Sequence, residues 1–118
     1  MKKDLDFKFI RPFGPMISKV TIPEEIINQL NDYVDKIIVD KKKIKELDYG
    51  SKLAGNVQQE FKLEKNFIQT SGWGNFLSTC VDNWLKQSIN KKITKFELIS
   101  TWIVRQFQNE YNPIHTHG

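Results

Sequence analysis

The sequence predicts an α+β fold, and three patterns carry that expectation. In two stretches, residues 23–40 and 75–89, apolar side chains recur at spacings of three and four, as on the covered stripe of an amphipathic helix. A third stretch, residues 96–107, alternates instead and carries apolar residues on both parities, as a strand covered on two faces would. The 118 residues are enough for one ordinary domain, and at 39% hydrophobic they can bury a core.

Taken in order, the chain opens with an extended segment containing Phe7, Phe9 and Ile10. Arg11-Pro12-Phe13-Gly14-Pro15 then breaks any regular element, and residues 16–22 alternate as an edge strand does. Thr21-Ile22-Pro23-Glu24 starts the first helix: a hydroxyl cap, a proline tolerated in the first turn, and a carboxylate placed for a capping box. Its stripe is Ile26, Ile27, Leu30, Tyr33, Val34, Ile37 and Ile38. Lys41-Lys42-Lys43 and Lys45 fall at the expected end of this helix, where cations complement the macrodipole.

Residues 41–56 are polar and contain Gly50 and Gly55, which predicts a connection, followed by a short extended piece with Val57, Phe61 and Leu63. Residues 66–74 are rich in turn formers, and Asn75 is placed to cap the second helix. That helix carries Phe76, Leu77, Cys80, Val81, Trp84, Leu85 and Ile89 on one face, so Cys80 is expected as a buried small hydrophobe. After Asn90-Lys91-Lys92 comes the long strand, with Phe96, Leu98, Trp102 and Val104 on one face and Ile99, Ile103 and Phe107 on the other. Trp102 is expected to pack under a helix.

Composition narrows the functional classes. The net charge is +4, yet all but two of the 18 basic residues are lysine. Phosphate and base recognition recruit arginine, so nucleic acid is not the expected partner. No apolar run spans a bilayer, the amino-terminal residues lack a signal-peptide core, and the lone Cys80 can make no internal disulfide. The expectation is a cytoplasmic protein without a membrane segment.

Both histidines of the chain fall in its last four residues, as His115-Thr116-His117. Two residues apart in an extended segment, their side chains point the same way with Cα atoms roughly 6.6 Å apart, so both imidazoles can serve one metal. Imidazole suits iron, zinc, copper or nickel.

The run Trp102-Ile103-Val104-Arg105-Gln106-Phe107, then Glu110-Tyr111-Asn112-Pro113-Ile114-His115-Thr116-His117-Gly118, resembles the Fe(II)- and 2-oxoglutarate-dependent oxygenase superfamily, in particular members from phage and marine bacterial genomes. Ile22-Pro23-Glu24-Glu25-Ile26 and residues 51–60 look like the amino-terminal part of such proteins. The resemblance implies the amino-terminal part of a double-stranded β-helix, or jelly roll, with two helices packed on its sheet. It implies a single, incomplete oxygenase domain over residues 1–118, inactive alone. His115 would be the first iron ligand and His117 the second, although most of the superfamily has Asp or Glu at that place. The third ligand and the basic residue that pairs with 2-oxoglutarate would follow Gly118. Phe107 stands near where related enzymes often have a tyrosine for the cosubstrate.

Arg105 and Tyr111 share the parity of Phe107 and are the candidates for cosubstrate binding; their alternatives are a partly exposed salt bridge and a packed rim aromatic. The reaction implied is oxidative decarboxylation of 2-oxoglutarate to succinate, coupled to hydroxylation of an unspecified substrate. Two other readings stand beside it. Pro113-x-His115-x-His117 is also similar to the cupin metal motif, and a lysine-rich α+β module could bind an acidic partner without catalysis.

Overall fold

The computed structural model describes residues 5–50, 55–92 and 94–116. They form four helices and two two-stranded antiparallel sheets, an α+β arrangement; no closed barrel or jelly roll is formed among the described residues. No described helix is long and apolar enough to cross a membrane. Contacts divide the chain into two compact units. The first combines the residues up to Asn28 with Asn66–Leu98, and the second combines Gln29–Lys65 with the residues from Ile99 on.

In the first unit, β1 (Phe7–Ile10) and β2 (Ile17–Val20) make a hairpin in which Phe7 faces Val20, Lys8 faces Lys19, Phe9 faces Ser18 and Ile10 faces Ile17. Burial follows the strand alternation: Phe7, Phe9, Ser18 and Val20 are half-buried, while Lys8, Ile10, Ile17 and Lys19 are exposed. The Phe7 and Phe9 rings stack with centroids 6.2 Å apart.

The helix expected over 75–89 is present as Trp73–Ile89, longer by two residues at its start. Gly72, at φ +81°, takes the cap position, and its carbonyl accepts the Phe76 N–H at 2.9 Å. Asn75 therefore lies inside the helix rather than at its cap, and its carbonyl accepts the Thr79 hydroxyl. The stack of Trp73 on Phe76, at 5.6 Å, favours the earlier start by burying the aromatic pair together. At the other end Asn90 adopts the left-handed conformation and closes the helix. The Trp84 indole N–H donates to the Met16 carbonyl at 2.8 Å, which ties this helix to the start of β2. Cys80 is half-buried in an open cleft lined by Ser18, Val20, Val81 and Trp84, and burial pushes its thiol pKa up. The segment expected as turn-rich contains a short helix, Lys65–Thr70, so the turn itself contracts to the residues around Gly72.

The helix expected over 23–40 runs Glu24–Ile38. The Pro23 carbonyl accepts the N–H groups of Ile26 and Ile27, so Pro23 rather than Thr21 stands at the cap. With this helix as α1, the others become α2 (Lys41–Leu47), α3 (Lys65–Thr70) and α4 (Trp73–Ile89). The short α2 was not expected. It exists because the Asp40 carboxylate accepts the N–H groups of Lys42 and Lys43, at 3.0 and 3.3 Å, and so opens a new helix. The lysine cluster thus begins α2 instead of ending α1.

The core of the second unit is Val34 and Ile37 of α1, Leu47 of α2 and Phe61 of β3 (Gln59–Lys62), with Tyr33, Ile44 and Ile103 packed against them. β4 (Trp102–Arg105) pairs with β3 antiparallel, Phe61 opposite Ile103 and Glu60 opposite Val104.

The long central strand expected over 96–107 is therefore four residues. A ladder can run only as far as its partner: the Leu63 N–H still reaches the Thr101 carbonyl at 3.0 Å, while on the opposite edge of β3 the Tyr33 hydroxyl donates to the Lys62 carbonyl and accepts the Glu64 N–H. Residues 96–99 keep alternating burial without a partner strand, and Ile99 is 93% exposed, so the second face is not covered there. Trp102 is also placed differently. The α1 side of β4 is the odd face, with Ile103 and Arg105, while Trp102 on the even face stacks on Tyr49 at 4.9 Å.

Candidate functional site

The candidate site is the arm that leaves β4 and ends in the histidine motif, all within the second unit. Its root is Arg105. The guanidinium reaches α1, where Nη1 pairs with Asp35 at 2.9 Å and Nη2 donates to the Asn31 carbonyl at 2.7 Å. A planar fork with two partners on one helix fixes where the last residue of β4 stands. Of its two expected roles, the structure places Arg105 in a half-buried salt bridge.

Beyond β4 the chain reverses at once. The Glu110 N–H bonds to the Phe107 carbonyl at 3.1 Å, and Asn109 adopts φ +68°, a conformation that asparagine tolerates better than most residues. The Glu110 carboxylate staples this turn: one oxygen accepts the Phe107 N–H at 2.9 Å, the other the Gln58 N–H at 3.1 Å, just before β3. Gln106 adds a side-chain bond to the Glu110 carbonyl.

Tyr111 follows and forms an antiparallel bridge with Asn56, through N–H to carbonyl bonds of 2.8 and 3.2 Å. The bridge works because residue 55 is glycine. A Cβ there would lie 2.6 Å from the Tyr111 carbonyl oxygen and 2.7 Å from Asn112 Oδ1, and Gly55 holds φ +110°. Tyr111 holds the arm through its backbone, and its side chain is exposed.

Asn112 and Pro113 lead to His115, which is exposed; its Nδ1 lies 2.7 Å from the Pro113 carbonyl oxygen. A carbonyl can only accept, so Nδ1 is the donor in this contact. Metal-bound histidines commonly hold their other ring N–H against a backbone carbonyl in this way. His117 lies outside the described residues. Among the described residues no group of three or more His, Cys, Asp or Glu side chains is arranged to hold a metal, so His115 fits as one ligand and the described donors do not complete a site.

One perturbed group lies near the foot of the arm and a second at the far end of β3. Glu60 on β3 is 1% exposed, and its Oε2 has no hydrogen-bond partner. Burial, and then the neighbouring carboxylates of Asp48 and Glu110, raise its pKa. Tyr33 is pushed up to about 12, chiefly by burial.

No protein-family model matches the chain, and no curated protein or solved structure matches it.

The residues that sequence reasoning missed are Glu110, Gly55, Asn56 and Asn109. Asn109 sits in a polar turn next to Glu110, and that local pattern could have flagged a left-handed asparagine. The pairing of residues 56 and 58 with 111 and 110 has no local signal.

Proposed function

We propose that this chain carries the first metal-ligand pair, His115 and His117, of an Fe(II)- and 2-oxoglutarate-dependent dioxygenase, with β3 and β4 as part of a double-stranded β-helix. The observation that carries the reading is the His115 ring, whose Nδ1 lies 2.7 Å from the Pro113 carbonyl oxygen at the end of a braced arm. The likeness of residues 102–118 to that superfamily supplies the metal and the cosubstrate. Bound there, iron would supply oxidative decarboxylation of 2-oxoglutarate to succinate and hydroxylation of a substrate C–H bond.

The chain's own residues do positioning work. Arg105 anchors β4 to α1, Glu110 fixes the reversal, and the Tyr111–Asn56 bridge sets where the arm departs. Such bracing matters because ligands must be held to within a fraction of an ångström by groups behind them. In this reading the guanidinium of Arg105 belongs to the brace, and the remaining iron ligand and the 2-oxoglutarate partner come from outside the described residues. A cytoplasmic setting, where 2-oxoglutarate and ferrous iron are both present, fits this chemistry.

The test is an anaerobic Fe(II) titration followed by NMR, then addition of 2-oxoglutarate with the visible charge-transfer band as the readout. Fe(II) is expected to broaden the imidazole signals of His115 and His117 before any others, and His115→Ala is expected to abolish this effect and any charge-transfer band. Iron binding undiminished in His115→Ala overturns the proposal.

A further inference from the structure

The β1–β2 hairpin presents an outward face that its own fold does not use. Ile10 and Ile17 stand opposite one another on that face and are both exposed. Lys8 and Lys19 also stand opposite one another, one step further from the tip, and are exposed too. At the tip Phe13 is 97% exposed.

Two features of this arrangement are costly for the isolated chain. Like charges directly across a ladder repel, and an apolar pair plus an aromatic ring in water forgo burial. The tip is also stiffened, since Pro12 and Pro15 fix their own φ and the Arg11 guanidinium donates to the Gly14 carbonyl at 2.9 Å. A rigid aromatic projection loses little entropy when it docks.

We propose that this hairpin docks on an anionic lipid surface, inserting Phe13 with Ile10 and Ile17 and setting Lys8 and Lys19 at the level of the headgroups. The polarity runs in the order that such a surface requires: an apolar tip, cations about 6.6 Å behind it, and the carboxylate of Asp6 beyond the lysines. A nucleic-acid groove fits less well, because it would bury the isoleucine pair against polar base edges and phosphates. Peripheral docking needs no membrane-crossing helix, and the inference does not depend on the metal reading.

The experiment is co-sedimentation of the full chain with vesicles of phosphatidylcholine alone, and of phosphatidylcholine containing phosphatidylserine, at low and high salt. Binding is expected only with phosphatidylserine and is expected to weaken as salt rises. Phe13→Ser is expected to lower the affinity about tenfold while leaving the melting temperature unchanged, because the ring is exposed in the fold. Lys19→Glu separates docking from folding most sharply. It is expected to hold or raise hairpin stability by removing the cross-strand repulsion, yet to cut vesicle affinity about tenfold or more. Absence of vesicle binding, equal binding to both vesicle types, indifference to Phe13→Ser, or binding of duplex DNA in place of vesicles would each overturn the proposal.

Discussion

The carboxylate of Glu110 accepts the backbone N–H of Gln58 at 3.1 Å, across 52 positions of sequence, while its other oxygen caps Phe107 at 2.9 Å. One side chain thus joins the reversal after β4 to the approach of β3. Glu110→Ala is expected to cost about 1–2 kcal/mol, since two charge-assisted bonds at an exposed site are lost. Amide exchange at Gln58 and Phe107 should accelerate together. Glu110→Gln keeps one good acceptor and should fall between the two. Exchange rates in Glu110→Ala equal to those of the unaltered chain would show that the staple contributes nothing.

Gly55 is the second fixed point of the arm. An alanine there would place its Cβ 2.6 Å from the Tyr111 carbonyl oxygen and hold a side chain at φ +110°. Gly55→Ala is expected to destabilise by about 1–3 kcal/mol. Urea unfolding measures that cost, and the Asn56 and Tyr111 amides should lose protection before those of β3 and β4 do.

Arg105 and Asp35 should prove unequal partners. Asp35 is mostly exposed, so Asp35→Ala is expected to cost less than about 1 kcal/mol. Arg105→Ala also removes the bond to the Asn31 carbonyl and the packing of a half-buried stem, which raises its expected cost to about 2 kcal/mol. A double-mutant cycle reads the pairwise part directly, and a coupling near the full cost of Arg105→Ala would contradict this division.

Glu60 makes stability depend on pH. Burial, Asp48 and Glu110 raise its native pKa above the ordinary 4.5, so the folded chain holds the proton more tightly than the unfolded chain does. The contribution is complete below the ordinary carboxylate range and is lost as pH rises through the raised native value. Glu60→Gln removes this loss. Its stability relative to the unaltered chain should therefore improve from acid to neutral pH, as followed by denaturant midpoints, and parallel curves would refute the assignment.

Burial of Tyr33 gives a complementary alkaline signature. Its native pKa of about 12 lies above the ordinary 10, so the stability it contributes persists below pH 10 and declines as pH rises toward 12. Tyr33→Phe should remove that alkaline dependence. It should also cost about 1–2 kcal/mol at neutral pH, because the Lys62 carbonyl and the Glu64 N–H lose their shared partner.

What the sequence disclosed and what it concealed divide along the reach of the interactions. The stripes of α1 and α4 were legible because helical periodicity is local, and the left-handed Asn90 stands where Asn90-Lys91-Lys92 announces a turn. The start of α2 was hidden because one carboxylate, Asp40, converts an apparent helix end into a helix beginning. The length of β4 was overread for a different reason. Alternation from Phe96 to Phe107 describes side-chain direction, whereas a strand also needs a neighbour, and β3 runs only to Lys62, with one further bond from Leu63 to Thr101. At the site, His115 stood out by its rarity and spacing, and the arm that aims it did not, since Gly55, Gln58, Glu110 and Tyr111 act on each other only once the chain has folded.

The two units are interleaved along the chain: the second closes around Gln58 and Glu110, and the intervening sequence contains α3 and α4. No single cut can release either unit as an uninterrupted peptide. During synthesis β3 must also wait for its β4 partner until some forty further residues have emerged. Helix α4, whose hydrogen bonds are local, can form in that interval, so the rate at which the histidine arm becomes ordered should be set by closure of this long loop rather than by helix formation.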